Sequence, residues 1–319
     1  MAHLVESMAF VRETPWHGLG NRLPEKQPLD VWLQAAGMDW IIENTEALYS
    51  TGSGSERRIQ VNPDARVLYR SDTGAPLSVV SNRYQVVQPR EILEFYRELV
   101  EVGGFALETA GVLKGGKKLW ALAKTGEEFL LRGADRVKGY LLLATSCDGT
   151  LATTAQFTSV RVVCNNTLQL ATDKEKDGAI KVPHSTTFDP DAVKAALGVG
   201  ASAWNRFAET AQVLAERKVN RLDVTKFVIS VLGDRDAPLT AQPNEKALKG
   251  VIELFAGQGK GSQLASANGT AWGLVNAVTE YVDHHRRAKS QDTRLDSAWF
   301  GQGAGIKAKA WTEALKLVA

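Results

Sequence analysis

The sequence predicts an α+β protein, with a mixed sheet of long hairpins and packed helices followed by a mainly helical C-terminal part. Three observations carry that expectation. In the first half, turn signals such as Asp72-Thr73-Gly74 and Asp148-Gly149 separate short runs rich in β-branched residues. A polar stretch from Thr172 to Pro190, broken by Gly178 and Pro183, then interrupts the pattern. Beyond it, nearly every segment repeats its apolar residues at helical spacing. The expected organisation is an α+β core over 1–171, a linker or long loop over 172–190, and a helical region over 191–319 packed on the core.

The elements follow in order. PLDVWLQAAGMDW is an amphipathic helix ending near Gly37. WIIENTEALYS and the segment from Arg57 to Val87 read as strands, with Asn62-Pro63-Asp64 and Asp72-Thr73-Gly74 as turns. Pro89 opens a helix whose Ile92, Phe95, Tyr96 and Leu99 share a face, and Gly103 closes it. A hairpin follows, its tip at Gly115-Gly116-Lys117-Lys118. Leu141–Thr145 and the valines 160, 162 and 163 form a second, longer hairpin about Asp148-Gly149, breaking at Asn165-Asn166. Asp189-Pro190-Asp191 starts the helical part.

Composition excludes several classes. Hydrophobic content of 44% and charged content of 23% suit an ordinary globular chain, and 319 residues can bury a sizeable core. MAHLVESMAF lacks the basic and apolar regions of a signal peptide, and no run of about 18 apolar residues suggests a membrane span. Two cysteines cannot build a disulfide framework, so a reducing cytoplasm is expected. Net charge is only +2, yet local positive stripes run over 114–138 and 286–294. Such stripes either track a phosphate backbone or are simply solvated.

Three constellations could carry chemistry. In ETPWHGLGNRL, His17 lacks both the G-x-G-x-x-G spacing and a Walker lysine, so Trp16 and its glycines read as an anchoring turn. In SVRVVCNNT, Arg161 points away from the face of Val160 and Val162 and can reach phosphate or a carboxylate. Cys164 reads as a structural thiol, and Asn165, Asn166 and Thr167 as a strand-to-helix corner. In NGTAWGLVNAVTEYVDHHRRAK, an apolar stripe of Trp272, Val275, Val278 and Val282 leaves Asn276, Glu280, Asp283 and Arg287 on another side, with His284 nearby. That polar face suits either a divalent cation and acid–base work or an Asp283–Arg287 salt bridge.

The strings W-H-G-L-G, R-V-V-C-x-N-T and N-A-V-T-E-Y-x-D-H resemble the domain of unknown function 932 family, in its phage- and plasmid-related branch. The resemblance implies a mobile-element gene product and supplies no activity. A more distant likeness, in the α+β core with basic hairpin tips, is to phage single-strand annealing proteins, which hold DNA along a positive groove.

The resulting expectation is a non-enzymatic nucleic-acid-binding protein of recombination or replication, a homo-oligomer with single-stranded DNA as partner and no cofactor. Its contacts would be Lys117 and Lys118 at the hairpin tip, Arg161, and Arg286 and Arg287 at the helix end, with Trp120 or Tyr140 stacking on bases. The alternatives are a metal-dependent enzyme on nucleic acid using Glu280, Asp283 and His284, and a host-interaction protein acting against a defence system.

Overall fold

The computed structural model describes residues 5–12, 20–103, 105–161, 166–169, 179–197, 200–233 and 244–319. Trp16, His17, Cys164, Asn165 and residues 172–178 of the expected linker lie outside the described residues. The chain divides into two compact units, each assembled from three pieces. Unit 1 comprises 1–125, 141–156 and 179–197; unit 2 comprises 126–140, 157–178 and 198–319. Three of the boundaries fall inside strands, whereas the sequence suggested sequential parts.

Unit 1 is mostly sheet. Strands β1 (Val5–Val11), β2 (Asn21–Leu23) and β6 (Ala106–Leu113) assemble with β1 parallel to β2 and antiparallel to β6. Strand β6 pairs in turn with β7 (Lys118–Leu131), which is followed in the sheet by β8 (Asp135–Ser146) and β9 (Thr153–Arg161). The expected linker contributes a strand of its own, β11 (Ala179–Val182), antiparallel to the start of β9. Helices α1 (Leu29–Ala35) and α2 (Pro89–Gly103) form where their apolar spacing and punctuation place them. Helix α3 (Pro190–Leu197) begins where the Asp189 carboxylate accepts the Asp191 and Ala192 amides. Trp32, Leu33, Phe95, Tyr96 and Leu119 are among the side chains buried in this unit.

A separate three-stranded sheet contains β3 (Ile42–Thr51), β4 (Arg58–Arg70) and β5 (Pro76–Ser81). Asn62-Pro63-Asp64 is no turn. It is a bulge inside β4, where the register jumps from Glu46↔Arg66 to Ala47↔Asn62. Pro63 cannot donate to a ladder, and a bulge removes that requirement while the strand continues. Beyond the bulge β3 and β4 pair only with each other, because β5 meets β4 only from Ala65 to Tyr69. The result is a two-stranded arm with Leu48, Ile59 and Val61 largely exposed.

Unit 2 is mainly helical: α4 (Gly200–Glu216), α5 (Arg221–Leu232), α6 (Glu245–Glu253), α7 (Ala271–Glu280), α8 (Gln291–Phe300) and α9 (Gln302–Leu315). It also holds β10 (Asn166–Gln169), antiparallel to the end of β9, so Asn166 and Thr167 continue a sheet rather than turn into a helix. Asn220 and Asp223 form a capping box on α5, and Thr270 caps α7. Every residue of α7 is buried. The expected amphipathic stripe is therefore the centre of a helical cluster in which α7 packs against α4 and α9. At Gly273 the loop before α7 comes so close that a Cβ would stand 2.0 Å from the Ala267 carbonyl oxygen.

Candidate nucleic-acid interface

The centre of unit 2 is polar as well as apolar, and its polar groups decide which cations are left for a ligand. Asp135, at the start of β8, is fully buried and accepts three hydrogen bonds: from Arg161 Nε at 2.7 Å, Ser266 Oγ at 2.7 Å and Trp272 Nε1 at 3.0 Å. Arg161 spends its other nitrogens on the carbonyls of Gly261 at 2.9 Å and Lys260 at 3.4 Å. A buried guanidinium is tolerated when a carboxylate and further acceptors surround it, and these do. Arg161 ends β9, and the loop 257–270 supplies carbonyls to its side chain. At 3% exposure it is withdrawn from any phosphate.

The carboxylates of α7 and of the turn after it are engaged in the same manner. Both oxygens of Glu280 accept the Lys260 amide, at 3.0 and 3.1 Å, and His285 Nε2 stands 3.8 Å away. Asp283 accepts from Lys307 Nζ of α9 at 2.8 Å, with both side chains buried. The expected Asp283–Arg287 helical pair does not form. A π-turn over Tyr281–His285, closed by the Arg286 amide on the Tyr281 carbonyl at 2.7 Å, ends the helix before Arg287. The cation-site alternative thus loses Glu280 and Asp283 to internal partners, and half-buried His284 also has partners of its own. Among the described residues no three His, Cys, Asp or Glu side chains are grouped to hold a metal ion. Asn276 bonds within its helix, to the Trp272 carbonyl at 2.8 Å.

Past the π-turn the chain is pinned rather than loose. Arg286 donates to Ser297 Oγ at 3.2 Å and to Gln302, and its carbonyl accepts from Arg294 at 2.6 Å. Burial pulls the Arg294 guanidinium below the ordinary arginine value, and the Asp283 charge opposes that shift. These bonds fix the backbone at 286 while Arg287 and Lys289 stand exposed beside it.

The hairpin tip of unit 1 forms as expected, with Lys114–Gly116 as one tight turn between β6 and β7. Its lysines do not both reach solvent. Lys118 is buried at 4% exposure, and Lys117 is half-buried with its carbonyl accepting the Cys147 amide at 2.9 Å. Gly116 explains the burial. Its positive φ of 99° folds the tip inward, where a Cβ would lie 3.1 Å from Trp40 and Leu77. Trp120 and Tyr140, the expected stacking platforms, are buried too. Of the five contacts expected from the sequence, only Arg287 is fully available, with Arg286 half-exposed as its support.

Sequence reasoning missed Asp135, Ser266, Lys260 and Lys307, whose partners are far away in the chain. One signal was present: an arginine among valines needs a buried acid, and Asp135 opens the preceding strand.

Residues 76–299 match the family model described as Domain of unknown function (DUF932). That is more than half of the chain, and the protein belongs to this family. No curated protein and no solved structure matches it. Among the described residues no helix is long and apolar enough to cross a membrane.

Proposed function

We propose that the protein binds nucleic acid, single-stranded DNA above all, through its phosphate backbone, and acts in recombination or replication. On this reading it is a homo-oligomer of the bacterial or phage-infected cytoplasm. The observation that carries the proposal is the placement of charge. Unit 2 holds 22 Lys and Arg against 18 Asp and Glu, a formal +4, whereas unit 1 holds 16 against 18, a formal −2. Arg161 and Lys307 are consumed internally, and the pinned segment after α7 turns Arg287 and Lys289 to solvent. Cations on a fixed backbone meet phosphates with less ordering entropy than cations on a loose tail. The exposed apolar residues of the β3–β4 arm support self-association.

The test is binding of nuclease-treated protein to labelled single- and double-stranded oligonucleotides across a salt series. The expected result is salt-sensitive binding that prefers single strands. The double variant Arg287→Glu, Lys289→Glu should reduce the log–log salt slope by about 1 to 1.5. An unchanged slope would remove this segment from the interface. No binding at low salt would overturn the proposal.

A further inference from the structure

Unit 1 contains a cavity of about 430 Å³ that the proposed interface does not use. Its origin is local. Leu93, Tyr96, Arg97 and Val100 of α2 recur at helical spacing and present one face to the cavity. Trp32 of α1 and Leu107 of β6 line it as well. The floor asks for no polar partner, because the Tyr96 hydroxyl, its polar atom, already donates within reach of the Ala121 carbonyl at 2.9 Å and the Leu141 carbonyl at 3.0 Å. A volume of this size is at the small end of ligand pockets, ample for a fused-ring or medium-chain apolar body.

The lining also carries charge. Arg12, Lys26 and Arg97 face Glu25 and Glu108, three cations against two carboxylates. Arg12 is committed to Glu25, with Nε 2.7 Å from Oε1. Glu108 also has partners of its own. Lys26 and Arg97 are exposed, and Arg97 forms no ion pair with any described residue. An apolar cavity with one surplus positive charge in its lining selects for a molecule with the opposite arrangement.

We propose that this cavity is a binding site for a small amphipathic organic anion, its apolar or aromatic body against Trp32 and Tyr96 and its single anionic group at Arg97 and Lys26. Burial of the body supplies affinity, and the charged group fixes orientation. All of its lining residues belong to unit 1, whereas Arg287 and Lys289 belong to unit 2.

The test uses two fluorescent probes on the full chain: anilinonaphthalene sulfonate, and phenylnaphthylamine, which has the same rings without the sulfonate. Saturable one-to-one binding is expected, with the sulfonate probe the tighter. Arg97→Glu, an exposed change, should weaken the sulfonate probe at least about fivefold and leave the neutral probe within about twofold. Lys26→Glu should act in the same direction. Val100→Trp, which adds bulk to the lining from a half-exposed position, should abolish binding of both. A thermal melt of each variant separates these outcomes from partial unfolding. Absence of saturable binding by the wild-type chain would overturn the site. Equal affinities unaltered by Arg97→Glu and Lys26→Glu would overturn the anionic assignment, and binding retained in Val100→Trp would overturn the location.

Discussion

The two units present their buried ionisable groups differently, although unit 1 also pairs a buried cation, Arg70 with Asp72. Unit 1 holds its most displaced groups uncharged. Burial raises the Tyr84 and Tyr96 phenols above their ordinary value and pushes the Cys147 thiol up to about 12. Unit 2 pairs its buried ionisable groups with one another, Asp135 with Arg161 and Asp283 with Lys307. The physical rule is common to both. An ion leaves water only with a partner, and a group without one keeps or loses its proton so as to be neutral. What differs is the consequence. A neutral buried group with a raised pKa loses its contribution as pH rises, whereas a paired one loses it when its partner is removed.

The sharpest way to break this comparison is Asp135→Ala. It removes the acceptor for Arg161, Ser266 and Trp272 together and leaves a guanidinium buried without its carboxylate. The expected loss is about 3–5 kcal/mol, read from denaturant unfolding. A loss below about 1 kcal/mol would mean that Arg161 escapes to water, and the pairing account of unit 2 would fail. Next comes Lys307→Ala, expected to cost about 3 kcal/mol by removing the buried ammonium that donates to Asp283. The double variant Asp283→Leu, Lys307→Met should return to within about 1 kcal/mol of the wild-type chain, because well-packed apolar residues replace a buried pair at little net change. If the double variant is as unstable as the single one, the pair is not acting as a unit.

The smallest effect concerns unit 1. Because the folded state raises the Cys147 pKa above its unfolded value of 9.0, folding holds that proton more tightly. The associated stability is complete below about pH 9 and declines as pH rises from there towards about 12. Tyr84 and Tyr96 shift in the same direction and extend the alkaline loss. Urea midpoints measured from pH 8 to 11 should fall progressively, and Cys147→Ala should flatten the first part of the fall. A decline already complete by pH 8 would point to other groups.

Legibility in the sequence followed range. Asp72-Thr73-Gly74, Asp148-Gly149 and the Asp189 cap were readable because each turn or cap is made by neighbours in the chain. Helices α2, α4 and α9 were readable from periodicity over three turns or more. Asn62-Pro63-Asp64 misled because turn chemistry and bulge chemistry use the same residues, and only the partner strand distinguishes them. Helix α8 gives a weak signal because the first four of its ten residues are polar, and among its described side chains only Leu295 and Ala298 are buried. The site fared worse. Turn chemistry put Gly115-Gly116 at the correct tip, but nothing local told which surfaces another segment would cover. Lys118 and Arg161 are basic residues whose burial depends on chain tens of residues away.

The β3–β4 arm has a further consequence, for cooperativity. Its outer rungs, from Ala47↔Asn62 to Thr51↔Arg58, are hydrogen-bonded only to one another, and the irregularity at Pro63 separates them from the rungs shared with β5. Fraying that starts at the glycine–serine tip, Gly52 to Ser55, can therefore run to the bulge and stop there, leaving the inner register closed. The bulge acts as a firebreak: the chain can be nicked or lengthened at that tip while the buried Leu68 and Val80 beyond it stay in place.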